Sequence, residues 1–464
     1  MREQNGSKQP ANALGTAPVG KLLARMAVPT IAAQLINMLY NIVDRIYIGH
    51  IPNEGTLALT GMGVCLPVIM LVTAFSAFSS SGGAARASIE MGRGDNAAAE
   101  RILGNCALMQ LGLSALLTAV LLIWNRDLLL AFGASENTIG YAAGYMEIYA
   151  LGTLFVQLTM GLNAFITAQG FAKTGMITVA IGAVCNIVLD PIFIFGLSMG
   201  VRGAALATVI SQGVSGVLCV IYIAFKLPVL HIRKEEWKLS GEHLKNLSYM
   251  GFPMGLQNSI TAIGSVILSS AVNTLGSGAV AAMTAAGKVQ FIFTAPYDSM
   301  GMTLATFAGQ NLGARKYSRI DKGMRFGILS MFVYSAVSLV VLYFFGTTVA
   351  LLFVSASETA ILADVHTFLV INAATSFLLA LLMIVRYIVQ GIGYSNYALF
   401  AGLFEMVARI LVALILVPRM GFTGASLANP AAWIAANGFL FPCYFHLMKK
   451  IRARNDEVPD VSIE

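Results

Sequence analysis

Charge is what this chain has least of. Asp, Glu, Lys and Arg make up only 11% of its residues, against roughly 25% in soluble domains. Hydrophobic residues reach 57% and mean hydropathy is +0.76, which excludes a soluble globular body. Short alternating strands are also missing, so a membrane β-barrel is excluded. The five cysteines (Cys65, Cys106, Cys185, Cys219, Cys443) stand apart in apolar segments with no CxxC spacing. They read as small hydrophobes rather than a disulfide or zinc framework. No HExxH, DDxxD or His/Cys cluster occurs, so no catalytic residue and no cofactor is expected. A GxxxxGK[ST] run is absent as well, which argues against ATP drive. Residues 1–20 are polar, without an apolar core and small-residue cleavage site. They are expected to form a short disordered tail and not a signal peptide.

What remains is a series of long apolar stretches, each able to cross a hydrocarbon core of about 30 Å as a helix. Twelve can be counted, near 22–48, 57–86, 99–124, 138–168, 174–198 and 203–226, then 244–272, 278–308, 321–345, 358–389, 396–418 and 424–448. Turn chemistry separates them at Pro52-Asn53-Glu54-Gly55, Gly92-Arg93-Gly94-Asp95, Asn273 to Gly278 and Pro418 to Gly421. The expectation is an all-α integral membrane protein.

The chain is also written twice. Met199-Gly200-Val201-Arg202-Gly203-Ala204 returns as Met420-Gly421-Phe422-Thr423-Gly424-Ala425, 221 positions later. Gln169-Gly170 returns as Gln390-Gly391, and Met91-Gly92 as Leu312-Gly313. Ala134-Ser135-Glu136 has an echo in Ala356-Ser357-Glu358. A period this long fits a duplicated domain. Each copy holds an even number of helices, so both enter the bilayer from the same side. Two pseudo-symmetric six-helix bundles are therefore expected, related by an axis along the membrane normal. They would span 21–226 and 244–448, joined by a linker at 227–243, with tails at 1–20 and 449–464.

Of the 29 Lys and Arg, 22 fall on the inner side if the N-terminus is cytoplasmic, and only Arg126, Arg202 and Arg419 on the outer. The positive-inside rule then places both termini in the cytoplasm. The net charge of +7 is read as a topogenic signal facing anionic lipid, not as a nucleic-acid footprint.

A carboxylate in a helix core costs roughly 2.5–3.5 kcal/mol on insertion scales. Asp44 and Asp190 nevertheless sit inside apolar segments, 19 residues beyond Arg25 and 17 beyond Lys173. At 1.5 Å per residue that places them within about 3 Å of the same depth. Asn37, Tyr40, Asn41 and Asp44 share one helix face, as do Asn186 and Asp190. Thr208, Ser211, Gln212 and Ser215 come from the following helix, and Asn163 and Thr167 from the fourth. In the second copy the positions of Asn186 and Asp190 hold Val407 and Leu411. Two readings stand: a cation or proton site in the first lobe, or an interhelical hydrogen-bond network. Pro29 and Pro191 each remove a backbone hydrogen bond and invite a bend. Pro29 has a twin in Pro253, whereas Pro191 has none.

Other intramembrane charges read as structural. Glu147 and Arg386 are expected to reach for an interface. Lys288, Glu405 and Arg409 are expected in ion pairs of the second lobe, with substrate contact as the alternative. Asp298 has no assigned role.

Several of these stretches resemble the multidrug and toxic compound extrusion (MATE) family. They are Pro29 with Asn41-Ile42-Val43-Asp44-Arg45-Ile46-Tyr47-Ile48-Gly49, then Asn186-Ile187-Val188-Leu189-Asp190-Pro191, and Gly309-Gln310-Asn311-Leu312-Gly313-Ala314. The resemblance covers residues 20–448. It implies twelve helices in two lobes around a central cavity, and export of organic, often cationic, small molecules against inward H+ or Na+ flux. It assigns coupling to Asp44, Asn186, Asp190 and Thr208, which would also ligate Na+ where that is the ion. Asn37, Tyr40, Asn163 and Gln212 would line the substrate cavity beside them. Another subgroup carries coupling acids on helices 7 and 10. Here helix 7 has none, and helix 10 has only Asp364 at its outer mouth.

The combined expectation is a secondary antiporter of a bacterial cytoplasmic membrane, acting as a monomer in the lipid bilayer. Its partners would be organic substrates and H+ or Na+, with no nucleic acid. Two neighbouring acids favour proton uptake, while amide and hydroxyl oxygens suit sodium, so the ion stays open. The alternative is a lipid-linked precursor flippase of the same superfamily, for which the first lobe is unusually acidic.

Overall fold

A computed structural model of the chain describes residues 13–227, 230–231 and 241–456. The ends 1–12 and 457–464, and the charged linker residues Arg233, Lys234, Glu235, Glu236 and Lys238, lie outside the described residues. Among the described residues every regular element is helical. The first half runs α1 (Ala13–Thr16), α2 (Val19–Gly49), α3 (Gly55–Arg93), α4 (Asn96–Ile123), α5 (Asn125–Ala131), α6 (Ile139–Leu151), α7 (Thr153–Ala168), α8 (Ala172–Pro191) and α9 (Val201–Ile221). The second half runs α10 (Gly241–Asn273), α11 (Ser277–Gly313), α12 (Tyr317–Ala350), α13 (Thr359–Ala374), α14 (Ser376–Gly391), α15 (Ser395–Leu411), α16 (Val417–Ser426) and α17 (Ala428–Asp456). Five-residue π segments extend α8 (Ile192–Gly196), α9 (Tyr222–Lys226) and α15 (Val412–Leu416).

Eight stretches are individually long and apolar enough to cross a bilayer, and the pairs α6–α7 and α13–α14 qualify as spans bent by 56° and 52°. With α10 and α17 they make twelve rods among the described residues. Polar side chains such as Gln257 and Thr261 on α10, and Asn429 and Asn437 on α17, lower the hydropathy of those two. The chain is a multi-pass helical membrane protein. Its fourth and tenth spans differ from the straight rods expected over 138–168 and 358–389. At Gly152, between α6 and α7, an added Cβ would fall 2.3 Å from Val209 Cγ2. The approach of α9 therefore requires a residue without a side chain at the break.

The fold gathers into two compact units, one ending at Phe252 and completed by Gly309–Ala314, the other formed by Pro253–Ala308 and the chain from Arg315 onward. In the first unit Gln310 donates to the Ala168 carbonyl at 2.8 Å and Asn311 to that of Leu14 at 3.2 Å. A buried cluster there includes Ala142, Tyr145, Met146, Ala150, Val201 and Ala204. The second unit repeats it with Val365, Phe368, Leu369, Ala373, Phe422 and Ala425. The first four lie at an offset of 223 and the last two at 221, so the duplication extends to the packing.

It extends to the backbone as well. Gly200 has φ 56° and ψ −134°, and Gly421 has φ 57° and ψ −135°. That conformation belongs to the first central position of a II′ turn, where glycine dominates. Gly94 (φ 85°) has its twin in Arg315 (φ 55°), which carries a side chain in the left-handed region. No atom stands within 4 Å of a Cβ added at 94, 200 or 421, so the backbone alone sets each penalty. Gly200→Ala and Gly421→Ala should each lose roughly 1–3 kcal/mol of stability, whereas Gly94→Ala should lose about 1 kcal/mol. Unfolding in one detergent compares the three, and equal losses at 94 and 200 would contradict this account.

Candidate functional site

The site begins on one face of α2. Asn37, Tyr40 and Asp44 recur at helical spacing, with Asp44 buried and the other two half-buried. Asn41 is exposed and turns its amide back to the Asn37 carbonyl at 2.6 Å. α2 packs along α8, and α8 along α9. This brings Asp190, with 0% of its surface exposed, into electrostatic range of Asp44, at 3%. Asn186, one turn before Asp190, donates to its Oδ1 at 3.3 Å. From α9, Gln212 donates to the Tyr40 hydroxyl at 3.5 Å. Tyr40 lies within electrostatic range of both acids.

α6 closes the site, and its residues were not anticipated from the sequence. Tyr145 reaches Thr208 and lies within electrostatic range of Asp44. Its ring stacks on Tyr149 at 6.1 Å and 17°. The bend at Gly152 sets this aromatic pair against α9. A signal was present, because Tyr141, Tyr145 and Tyr149 fall at i, i+4 and i+8; the spacing marks a shared face without saying what that face meets.

Among the described residues, three buried oxygens here have no hydrogen-bond partner, Asp44 Oδ1, Asn186 Oδ1 and Asp190 Oδ2, and neither do Ser211 Oγ and Ser215 Oγ on α9, which packs there against Gly182. Unsatisfied buried acceptors are expensive and uncommon. A set made of carboxylate, amide and hydroxyl oxygen fits a proton or a hard monovalent cation. Asp44, Asn186 and Asp190 carry the unmatched carboxylate and amide oxygens, and Thr208 is linked to them through Tyr145.

Asn163 is not brought to the acids. Its amide ties α7 to α8, donating to the Gly175 carbonyl and to Thr178 Oγ1, each at 3.0 Å. Thr178 stands eight residues before Asn186 on α8, about 12 Å along the helix. Pro29 lies inside α2, which continues unbroken as a helix. Pro191 ends α8 just before the π segment Ile192–Gly196.

The second unit fills the equivalent place differently. Asn429, twin of Thr208, donates to Gln290 Oε1 at 3.3 Å and to Asn372 Oδ1 at 3.1 Å. Gln290 donates to the same Asn372 oxygen at 3.1 Å. Asn372 donates in turn to the Phe368 and Ser426 carbonyls. This neutral amide triad has its groups matched to one another.

Two expectations for that unit are corrected. Arg386 does not reach for an interface: it is buried and pairs with Glu405, which also meets Arg409 at 3.5 Å. A guanidinium placed away from the headgroups takes the nearest carboxylate. Lys288 joins no ion pair among the described residues and lies exposed over the Phe353 ring, 5.2 Å from its centroid. Asp298 accepts from the Tyr387 hydroxyl at 3.5 Å. In the first unit, Glu147 meets Arg202 at 3.2 Å, both well exposed.

A twelve-span helical membrane protein in two copies, whose buried acids lack a guanidinium partner in one copy and have two in the other, has the architecture of a membrane transporter. The chain belongs to the MatE family, whose model matches residues 29–192 and again 253–415, one match on each copy. It is 23% identical to the probable multidrug resistance protein YoeA of Bacillus subtilis, covering 93% of this chain and 95% of that protein. It is also 23% identical to a FAD transporter of Shewanella oneidensis, covering 73% and 75%. A crystal structure of a MATE in complex with MaL6 shares the fold, with a TM-score of 0.90 at 23% identity over 96% of this chain and 100% of that one.

Stability should separate the two polar clusters. Asn372→Leu removes the acceptor shared by Gln290 and Asn429, which keep only their bond to each other, and should cost about 1–3 kcal/mol for the Gln290 amide left without an acceptor. Asp190→Leu, which copies Leu411, removes a buried acid and should leave unfolding unchanged or raise its midpoint. Collapse of Asp190→Leu in a detergent melt would make the acid a structural element.

Proposed function

We propose that the chain is a secondary active multidrug efflux antiporter. It exports organic, often cationic, compounds in exchange for H+ or Na+. Asp44, Asn186, Asp190 and Thr208 take up the coupling ion, while Asn37, Tyr40 and Gln212 face the substrate; Asn163, bonded to Gly175 and Thr178, braces α7 on α8 instead. The observation that carries this reading is the pair of buried acids with unmatched oxygens, present in one copy only. A neutral network would have served for packing, as Gln290, Asn372 and Asn429 do in the other copy. Uptake of positive charge matches the orphan oxygens, and the bound state then differs in free energy from the empty one. That difference is what a ligand needs to shift a conformational equilibrium. Pro29 and Pro191 supply the places where α2 and α8 yield. Membership of the MatE family and the likeness to YoeA support drug efflux. The proposed orientation has both termini in the cytoplasm of a bacterial cell, with the monomer as the working unit.

A second reading draws on the FAD transporter among the relatives and on the two buried guanidiniums that share Glu405. In that reading the exported compound carries negative charge. The purified protein in liposomes distinguishes these cases when pH and sodium gradients are varied independently. The expected result is accumulation of a fluorescent organic cation in inside-out vesicles that collapses with one of the two gradients. Asp44→Asn and Asp190→Asn should each reduce gradient-driven uptake by about tenfold or more, a loss of roughly 1.4 kcal/mol or more of coupling. Normal coupled transport in both variants would remove the site assignment. Movement of lipid or of an anionic dinucleotide, with no cation moving, would replace the substrate assignment.

A further inference from the structure

A second site lies far along the chain from the acids, where the start of α12 meets the end of α17. It is a cavity of about 510 Å³. Three cations line it: Arg325 from α12, and Lys449 and Arg452 from α17. Asp321 accepts from Arg452 at 2.5 Å and from the Tyr444 hydroxyl at 3.4 Å. One carboxylate therefore fixes one guanidinium and a phenol, and ties the two helices together. Among the described residues, Arg325 and Lys449 make no ion pair. The lining thus carries more positive than negative charge, with two cations available.

The sequence brings these groups to one place. Asp321 and Arg325 are four apart on α12; Lys449 and Arg452 are three apart on α17, and Phe445 precedes Lys449 by four. Each set lies on one helix face. Met324 and Met448 make an apolar floor, and Phe445 stands 58% exposed at the edge. The apolar run of α12 starts just after Arg325, and that of α17 stops just before Lys449. The cavity thus sits where hydrocarbon gives way to headgroups, with cations on one side and thioether and aromatic surface on the other.

We propose that this cavity binds the phosphate of an anionic phospholipid, with Arg325 and Lys449 as its direct partners. Arg452 is held at the wall by Asp321. Phe445 and the two methionines receive the glycerol and the first acyl carbons. A soluble anion would use the cations but would gain nothing from the apolar floor. Clustered Lys and Arg at a membrane boundary draw anionic lipid; the cavity adds a bounded place for one headgroup. This assignment stands independently of the transport reading.

The test uses the delipidated full chain in detergent, with dioleoyl-phosphatidylglycerol, dioleoyl-phosphatidylcholine and inorganic phosphate as probes, followed by native mass spectrometry and thermal melts. The wild type should retain one phosphatidylglycerol about tenfold more tightly than phosphatidylcholine. Arg325→Gln/Lys449→Gln should weaken phosphatidylglycerol about tenfold and leave phosphatidylcholine unchanged. Lys322→Gln/Lys450→Gln, which removes the same charge from exposed positions outside the cavity, should bind as the wild type does. Should the first double variant fail to fold, Arg325→Gln alone is read the same way. Equal retention by wild type and cavity variant overturns the site, and so do equal losses in both double variants. Protection by inorganic phosphate without lipid retention assigns the cavity to a soluble anion instead.

Discussion

Asp190 has no exposed surface, and among the described residues the only hydrogen bond that reaches its carboxyl is the 3.3 Å contact from Asn186. An acid in a helix core forfeits roughly 2.5–3.5 kcal/mol on insertion scales, and one long hydrogen bond returns little of that. Asp44 compounds the problem by placing a second acid in range. The surrounding elements are arranged about this constraint. α9 supplies Thr208 to Tyr145 and Gln212 to Tyr40, and Gly152 lets it press against the α6–α7 break. α6 supplies the Tyr145–Tyr149 stack, with Tyr145 in electrostatic range of Asp44. The result is a pocket of surplus acceptor oxygen in an otherwise apolar unit. Apolar walls strengthen any charge interaction made inside them.

The doubled chain separates what the fold needs from what the acids need. Gly200 and Gly421 share one unusual backbone conformation, so the turn before α9 and before the last span belongs to the fold. The π segments at Ile192–Gly196 and Val412–Leu416 belong to it as well. Pro191 precedes the first, but Leu411 and Val412 occupy that place in the second. Proline is therefore not what widens the helix. Its effect is to remove one donor next to Asp190, which leaves a carbonyl in the same oxygen-rich neighbourhood. Proline beside the acid and leucine beside the valine form a coherent exchange: one copy collects acceptors where the other packs.

Much of this was legible in the residue order, and the failures have definite causes. The repeat, the helix count and the shared depth of Asp44 and Asp190 follow from spacing alone, because a helix converts sequence distance into height. Direction around the bundle does not follow. Asn163 and Asn186 look equivalent on paper, yet the first meets Gly175 and Thr178 and the second meets Asp190. The bends at Gly152 and Thr375 were hidden because no proline marks them. Arg386 was misjudged because nearness to a helix end was taken for access to the interface. Glu405 sits 19 positions away on the next helix, and only the packing of α14 on α15 reveals that the two meet. Pairs across helices are set by rotation about the axis, which periodicity constrains for one helix at a time.

The distribution of charge between the copies bears on which of them can respond to an ion. In the second copy Glu405 already has two guanidinium partners, and Asp298 receives the Tyr387 hydroxyl. A cation arriving there would have to displace a bound arginine, and the arginine would then be stranded in a buried place at high cost. The amide triad has no formal charge to offer at all. In the first copy, Asp44 and Asp190 have no ion-pair partner among the described residues, and Arg45, next to Asp44, is exposed. Under the proposed mechanism a cation or proton there would relieve repulsion and satisfy orphan oxygens in the same step. On that reading the gain on binding is large in one copy and small in the other. Under the proposed mechanism, that inequality allows a single ion-binding event to drive the first bundle while the second serves as its frame.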